Sequence, residues 1–392
     1  MNTKWNSYRI KDICTYIGSG TTPKSSNLKY YENGIHNWVN TGDLNDGIVS
    51  ECKQQITDIA LRDYPTLRFY PKNTIIDAMY GATIGKVGML DFEAVVNQAC
   101  CAMVIDKKIA LPKFVLYYLI YYKPQLVKES LGGTQPNVNQ FKVSNIFIAM
   151  PSVAGQQTIV DYLDTKLSEI DRQVSLLTRK RDAYLRLKKS IINHAVTKGL
   201  DKNAKMKDSG IEWIGKVPEQ WSQCLLKDCL AIQNGRDYKD IESIEGYPVI
   251  GSGGTFAYAS KYMYDGEVIF MGRKGTIDRP LYFNGKFWAV DTMFYAIPKK
   301  NMFGRYLYYY SLCFPFSKIM TQTALPSMTM TALNFLQLCI PSIAEQRSIA
   351  TYLDDKCSKI DSIVANLNKQ ISRYGDLKRS LIDEVITGKR AV

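Results

Sequence analysis

The segment MPSVAGQQTIVDYLDTKLSEIDRQV, Met150 to Val174, recurs in the same chain as IPSIAEQRSIATYLDDKCSKIDSIV, Ile340 to Val364. The two copies align without a gap at a shift of 340 − 150 = 190, and the likeness continues beyond both of them. Short repeats of solenoid proteins recur every 20 to 50 residues or so, so a period this long indicates duplication of a large unit. The sequence therefore predicts two versions of one unit.

Both copies are predicted to be long helices that carry an apolar seam. Pro151-Ser152 and Pro341-Ser342 open them, since proline suits the first helical turn and serine caps free N–H groups. Apolar residues then recur in steps of three and four, as in a heptad pattern, although Arg181 interrupts the first copy. The predicted helix-pairing residues are Leu163, Leu167, Ile170, Val174 and Leu177 in the first copy and Leu353, Ile360, Val364, Leu367 and Ile371 in the second.

One such helix cannot bury its seam alone, so the two are expected to pair. The alternative is that each helix only covers its own domain. The narrow, sustained seam favours pairing, because a helix that packs on a domain usually has a wider apolar stripe. About 40 residues at 1.5 Å each would make a rod of roughly 60 Å.

The regions before the two helices correspond more loosely. Trp, Lys and Asp have equal spacing in the stretches that begin at Trp5 and Trp221, and both regions then contain strand-like runs around a Gly-rich turn. The predicted class is α+β, with two globular α/β domains and two long helices. The predicted boundaries are a first domain over 1–150, a helix over 151–198, a linker and anchoring segment over 199–220, a second domain over 221–340 and a helix over 341–392.

The composition points to a polyanionic partner. Among 392 residues Lys+Arg number 50 and Asp+Glu 37, a formal net charge of +13. Such an excess suits nucleic acid, although an incidentally basic soluble protein remains the alternative. The nine cysteines show no CxxC pair and no zinc-finger spacing, which is typical of a protein in the reducing cytoplasm. No apolar run approaches the ~20 residues of a membrane span, so no membrane partner is expected.

The motifs of common enzymes are missing. The chain has no GxxxxGK[ST] phosphate loop, no Pro-Pro pair of the kind found in adenine methyltransferase motifs, and only His36 and His194 as histidines. The Gly-rich stretches IGSGTTP and IGSGGTF lack the GxGxxG spacing of a dinucleotide site. We therefore predict no catalytic residue and no metal ligand, and binding is the remaining activity.

Candidate DNA contacts lie on four loops, in the stretches MGRKGTIDRP, YGATIGKVG, GGTQPNVNQ and ALPSMTMT. Backbone N–H groups and basic side chains contact phosphates, arginine reads guanine, and Asn or Gln reads adenine. An ordinary surface turn is the alternative at each loop. The predicted DNA-binding residues are Thr83, Lys86, Thr134, Gln135, Asn137, Arg273, Lys274, Thr276, Arg279, Ser327 and Thr329.

Along its whole length the chain resembles the DNA-specificity (S) subunits of type I restriction-modification enzymes. The resemblance rests on the duplicated helix starts, which follow P-x-x-x-x-Q-x-x-I-x-x-x-L-D, on DSGIEWIGKVPEQW before the second domain, and on GRKGTI within it. The copies depart from one another where Gly155 stands in place of Glu345, and the seam is interrupted at Arg181.

The resemblance implies a non-catalytic subunit with two target-recognition domains, each reading one half of a split site on double-stranded DNA. The two helices would form an antiparallel coiled coil in a pseudo-twofold arrangement, acting as a ruler between the half-sites. The implied partners are two methyltransferase subunits, which would bring S-adenosylmethionine, and restriction/translocase subunits. This chain itself would hold no cofactor. A coiled-coil scaffold that binds no DNA is the competing hypothesis.

Overall fold

The computed structural model describes residues 5–130, 138–321 and 326–392. These form two units, one of Met1–Leu176 with Gln370–Val392 (unit 1) and one of Leu177–Lys369 (unit 2). Each unit holds one α/β domain and a part of both long helices.

Unit 1 is built around a five-stranded sheet in the order β2-β9-β6-β7-β4, with a three-stranded sheet β5-β3-β8 and a separate antiparallel pair β1-β10. Its strands are β1 (Asn6–Arg9), β2 (Cys14–Ser19), β3 (His36–Val39), β4 (Gly47–Val49), β5 (Gln55–Ile56), β6 (Ile75–Ala78), β7 (Val87–Leu90), β8 (Val95–Val96), β9 (Cys100–Ile105) and β10 (Phe147–Met150). Its helices are α1 (Asp58–Asp63), α2 (Pro112–Ser130), α3 (Gln140–Ser144), the first part of α4 (Val153–Lys198) and the end of α9 (Ile343–Ile386).

Unit 2 is built around a seven-stranded sheet in the order β14-β20-β18-β19-β16-β17-β15, with the pairs β11-β12 and β13-β21. Its strands are β11 (Met206–Asp208), β12 (Lys216–Pro218), β13 (Ser222–Leu225), β14 (Leu230–Asn234), β15 (Glu242–Ser243), β16 (Tyr247–Gly251), β17 (Gly254–Ala259), β18 (Tyr264–Gly272), β19 (Leu281–Ala289), β20 (Met293–Pro298) and β21 (Gln337–Ile340). Its helices are α5 (Leu226–Cys229), α6 (Gly304–Ser311), α7 (Phe316–Ile319), α8 (Met330–Asn334), the end of α4, and most of α9 (Ile343–Ile386).

The central strands of both sheets are buried on two faces. In β6, Ile75 packs into the helix-covered core of unit 1 and its neighbour Ile76 packs into a second core on the other face. In β18, Ile269 and Phe270 divide in the same way. Successive side chains of a strand point to opposite faces, so a strand buried twice has to be apolar without alternation.

The glutamine of the duplicated motif fastens each long helix to its own domain. Gln156 is fully buried; its Oε1 accepts a hydrogen bond from Leu111 N (2.8 Å), and its Nε2 donates to Ile109 O (3.2 Å). In unit 2, the buried Gln346 accepts from Phe303 N (2.9 Å). A buried backbone N–H costs free energy when it has no acceptor, and an amide side chain of this length supplies one.

The aspartate of the motif adds a second fastening. Asp164 accepts a hydrogen bond from the Tyr117 hydroxyl (2.6 Å) and pairs with Lys113 Nζ (2.6 Å), both on α2. Asp354, its equivalent in the second copy, accepts from the Tyr309 hydroxyl (2.7 Å) and pairs with Arg305 on α6. The leucine before each aspartate is fully buried. The motif thus places one apolar and one charged anchor on the same turn of helix.

The helices also pair with each other, within each unit. In unit 1 the core contains residues from the start of α4 and from the end of α9. Arg390, just past α9, lies over the Tyr162 ring (5.8 Å) and Lys378 pairs with Asp171, so these segments run antiparallel. Lys378 Nζ lies 2.9 Å from Asp171 Oδ1, and in unit 2 Lys188 Nζ lies 2.7 Å from Asp361 Oδ1. Both residues shift by 190, with the helices exchanging roles, as a pseudo-twofold duplication requires. The predicted fold class is confirmed. Each long helix both covers a domain and pairs with the other helix.

The structure places the predicted helix-pairing residues at different depths. The buried ones are Leu163, Leu167, Ile170, Leu353, Ile360 and Leu367, and the partly buried ones are Val174, Leu177, Val364 and Ile371. The seam also extends further than predicted, to the buried Leu381, Ile382, Val385 and Ile386 in unit 1.

The segment between α4 and the second domain packs into the core of unit 2. It carries the β11-β12 pair, and Ile211, Ile214 and Val217 are buried with Trp221. Across the described ranges, no helix has the length and apolar character that crossing a membrane requires.

Asp77 is an isolated carboxyl group inside unit 1. It lies on β6 and is 1% exposed, and among the described residues neither of its oxygens has a hydrogen-bond partner. The pKa of Asp77 is raised to about 8, mainly by burial and also by the charge of Asp46, while Lys123, which is ion-paired to Asp46 at 2.7 Å, opposes the rise. At neutral pH the group is therefore mostly protonated in the folded chain.

Replacing Gln156 by alanine should destabilise unit 1. The substitution removes the side-chain partners of Leu111 N and Ile109 O, both on half-buried residues, at a cost of about 1–3 kcal/mol in the free energy of unfolding. Gln157 is the matched control, since it is exposed and bonds only to Asp161 one turn away. Gln157→Ala should change stability by less than about 0.5 kcal/mol. Urea unfolding followed by circular dichroism measures both, and equal effects would contradict the fastening role.

Asp77 should make unit 1 less stable as the pH rises. An unfolded aspartate releases its proton near pH 4, whereas the folded chain keeps this one up to about pH 8. The folded state thus binds more protons in this window, and the free energy of unfolding falls by up to ~1.4 kcal/mol per pH unit. Asp77→Asn should abolish the fall, and Asn at the exposed Asp91 should not. Hydrogen exchange of the β6 amides at pH 5 to 8 tests this, and identical pH slopes for the three proteins would refute it.

Candidate nucleic-acid interface

Four segments of unit 2 meet at one border of its domain, which we call the unit 2 edge: residues 235–236, 272–276, 289–293 and 326–328. Backbone hydrogen bonds join each segment to the next in the spatial order 235–236, 289–293, 272–276 and 326–328. Arg236 N donates to Ala289 O (2.8 Å), Arg273 N to Thr292 O (2.8 Å) and Met328 N to Arg273 O (2.9 Å). The predicted loop over GRKGT is therefore held on both sides by neighbouring chain.

The close crossing at this edge depends on a glycine. A Cβ on Gly235 would lie 1.9 Å from Val290 O, so only glycine lets the two backbones pass. The crossing sets the next residue, the exposed Arg236, beside the β19–β20 turn. Gly275 serves the loop differently, since its φ of +78° is a conformation that other residues rarely adopt.

The edge brings together Arg273, Lys274, Thr276 and Ser327. The Arg273 guanidinium is partly buried, donates to Asp291 O (3.4 Å) and lies 6.0 Å from the Phe294 ring. Lys274 and Thr276 are exposed, and Lys274 forms an isolated β-bridge with Ser327. Two loops that the sequence analysis treated separately are thus one surface.

The two remaining predicted residues of unit 2 flank this surface. Arg279 is exposed and follows the buried Ile277, which anchors the loop. The Thr329 hydroxyl oxygen accepts a hydrogen bond from Ala332 N (3.1 Å) and so caps α8. Asn139, the equivalent residue of unit 1, caps α3 in the same way. A structural role therefore accounts for the side chain at both positions.

Unit 1 repeats this arrangement in its own border, the unit 1 edge: residues 20–21, 78–81, 96–100 and 138–140. Thr21 N donates to Val96 O (3.1 Å), Met79 N to Ala99 O (2.8 Å) and Val138 N to Met79 O (3.0 Å). A Cβ on Gly20 would lie 1.7 Å from Val96 O, as with Gly235 in unit 2. The same backbone frame thus occurs twice.

The predicted residues of unit 1 are less completely placed. Thr83 ends the 3-10 turn Gly81–Thr83 and donates to Tyr80 O (3.1 Å), and Lys86 is partly buried three residues on. Thr134, Gln135 and Asn137 lie outside the described residues.

The residues beside the two glycine crossings are not among the predicted contacts. In unit 1, Asn97 Nδ2 donates to Asn40 Oδ1 (2.9 Å), and Asn40 Nδ2 donates to Gln54 Oε1 (3.3 Å), so a row of amides adjoins the edge. In unit 2 the residue that follows the crossing glycine is the exposed Arg236, where unit 1 has Thr21. The sequence contains a signal that the two glycines correspond. Gly20 in IGSGTTP and Gly235 in IQNGRDY are 215 residues apart, close to the shift of 216 between Trp5 and Trp221.

The two edges have different chemistry on the same frame. The unit 2 edge carries Arg236, Arg273 and Lys274 against the single acid Asp291, so it suits phosphates and the acceptor atoms of guanine. The unit 1 edge is dominated by amides, which can both donate and accept. Within the described part of the chain, no cluster of three or more His, Cys, Asp or Glu residues is arranged to hold a metal ion.

Comparisons with known proteins agree on one family. Residues 2–180 and 218–373 match the sequence model of the type I restriction modification DNA specificity domain. The MjaVIII specificity subunit of Methanocaldococcus jannaschii is 22% identical over 98% of this chain and 92% of its own length. The EcoprrI specificity subunit of Escherichia coli is 23% identical over 91% of this chain and 88% of its own.

Solved structures show the same fold. A chain from work on complex assembly and conformational transition of the type I R-M system aligns with a TM-score of 0.74 at 15% identity, covering 98% of both chains. The HsdS subunit from Thermoanaerobacter tengcongensis aligns with a TM-score of 0.50 at 14% identity, covering 100% of this chain and 98% of its own. The family model matches well over half of the sequence, in two segments that follow the duplication. The chain belongs to the family of type I restriction-modification DNA specificity subunits.

Proposed function

We propose that each domain reads one half of a bipartite site on double-stranded DNA, through its edge. The observation that carries this proposal is the repeated edge, in which a glycine crossing and a four-segment backbone frame recur while the side chains differ. A shared frame presents side chains to DNA in the same way, and different side chains select different bases. Two unlike half-sites are the expected target.

The chemistry of the unit 2 edge supports contact with DNA. Arg273 is held by its bond to Asp291 O, and a side chain held in place loses less entropy when it binds. Lys274, in the next position, is exposed. Such a pair can divide the work, with the guanidinium reading a base and the ammonium contacting a phosphate.

We also expect this chain to bind two methyltransferase subunits and, with them, restriction/translocase subunits. The duplication supports the number two, because the fastenings at Gln156 and Gln346 and the ion pairs at Asp171 and Asp361 give each unit the same helical surface. The methyltransferase subunits would hold S-adenosylmethionine. This chain is the non-catalytic member of the assembly, and we place it in the cytoplasm with its DNA.

The proposal is tested by sequencing methylated DNA. The chain is expressed with its methyltransferase subunits in a host that lacks other DNA methylation, and modified bases are mapped. We expect one motif with two defined parts separated by unspecified bases. Exchanging residues 221–340 for those of another specificity subunit should change one part and leave the other. A motif without two parts, or methylation unaffected by the exchange, would contradict the proposal, and absence of sequence-selective DNA binding would favour a scaffold.

Substitutions at the unit 2 edge should weaken DNA binding in two distinguishable ways. Lys274→Ala should reduce affinity equally for all sequences and lower the salt slope by about 1, the loss of one phosphate contact. Arg273→Ala should cost about 1–3 kcal/mol, or about 5- to 150-fold, and relax selectivity at one base. Titration of target and scrambled DNA at several salt concentrations measures both effects.

Lys299→Ala and Lys300→Ala are the matched controls. Both lysines are exposed and basic but follow the opposite end of β20 from Thr292. They should leave affinity for the target and the salt slope nearly unchanged. If the edge variants behave like these controls, the GRKGT loop is not a DNA contact.

A further inference from the structure

Two thiols of unit 2 lie in direct contact. The sulfur atoms of Cys224 and Cys229 are 3.4 Å apart, as two separate thiols. A disulfide bond is about 2.05 Å long, so closing it needs a movement of only about 1.4 Å. Cys224, on β13, is partly exposed, and Cys229, at the end of α5, is buried.

Backbone hydrogen bonds fix this approach from both sides. β13 pairs with β21, where Cys224 is opposite Leu338. The single turn α5 follows at once and folds Cys229 back towards the strand, while Leu226 N donates to Leu336 O (2.8 Å). Lys299 N donates to Cys229 O (2.9 Å). The contact between the sulfurs is therefore imposed by the fold around them.

The fold itself does not need thiols here. Unit 1 has the same strand and turn, β1 followed by the 3-10 turn Ile10–Ile13, and the same bond from the strand's last N–H to an aspartate, Arg9 to Asp12. At the shift of 216 its residues are Tyr8 (224 − 216) and Ile13 (229 − 216). The thiol pair is thus particular to unit 2, on a backbone that unit 1 builds without sulfur.

We propose that Cys224 and Cys229 form a reversible dithiol/disulfide site that reacts with small disulfides such as oxidised glutathione. The thiolate of the accessible Cys224 attacks one sulfur of the small disulfide, forms a mixed disulfide and releases one thiol. The Cys229 thiolate then attacks the Cys224 sulfur and releases the second thiol. Two protein thiols lose two protons and two electrons, and the small disulfide gains both.

The surroundings of the pair suit the second step. The Cys224 thiol donates to the Cys229 sulfur; this hydrogen bond lowers the pKa of Cys229, helped by the charge of Lys299, and raises the pKa of Cys224, so attack by Cys224 is the slower step and resolution by Cys229 the faster one. The resolving cysteine is thus the one whose thiolate is favoured.

Peptide mapping of the native, full-length chain tests the proposal. The chain is incubated with oxidised glutathione, free thiols are blocked, and the denatured chain is digested with trypsin without reduction. Cleavage after Lys227 separates the two cysteines into VPEQWSQCLLK (217–227) and DCLAIQNGR (228–236). We expect these peptides joined, two hydrogens lighter than their sum, and separated again by a reductant.

Variants distinguish this site from general oxidation. Cys229→Ser should stop at the mixed disulfide, leaving glutathione on Cys224. Cys313→Ser, elsewhere in unit 2, should leave the cross-link unchanged. Recovery of both peptides carrying the blocking reagent would overturn the proposal, as would a link from Cys224 to the nearby Cys339 of β21 or a cross-link that forms only in denatured chain.

Discussion

The structure depends on the burial of one narrow apolar stripe along each of its two long helices, α4 and α9. A helix with such a stripe gains stability only from what packs on it, since helical propensity alone contributes little. Each helix meets the requirement twice, first on the domain that precedes it and then on the other helix. In unit 1 the start of α4 does the first and the end of α9 the second, and in unit 2 the helices exchange these tasks.

The polar anchors of the motif explain why packing has one register. An apolar stripe can slide by a turn at modest cost, whereas a buried amide that serves a single backbone N–H cannot. Gln156 and Gln346 each have such a partner. About two turns further along each helix, Asp164 and Asp354 each bind a tyrosine hydroxyl and a cation. The ion pairs between the helices are partly exposed and contribute little energy, but their exchange at a shift of 190 reports the same register.

The duplication and the helices could be predicted because both are periodic in the sequence, the first at the long shift between the copies and the second at steps of three and four. The role of Gln156 could not, because its partners are backbone atoms of Ile109 and Leu111, which no side-chain pattern reveals. The two edges could not be predicted from the sequence for a similar reason. Their segments are brought together by the register of the strands, which the sequence does not show. In the sequence the GRKGT and ALPSMTMT loops are two separate turns, whereas in the structure a β-bridge between Lys274 and Ser327 joins them. The predicted helix-pairing residues end at Ile371, because the buried residues near the end of α9 are spaced for a wider stripe that also packs on the domain.

A comparison of the two units also shows which residues the shared backbone requires and at which positions the side chains differ. Where a Cβ would collide with a carbonyl, both units have glycine, at Gly20 and Gly235, so the crossing belongs to the frame. Directly after that glycine unit 1 has Thr21 and unit 2 has Arg236, although the backbone is the same. Asp77 and the Cys224–Cys229 pair occur in one unit each, inside elements that the other unit builds from ordinary residues. Since the other unit builds the same elements without these groups, the effects expected of them, on stability with pH and on reaction with small disulfides, are confined to one unit each.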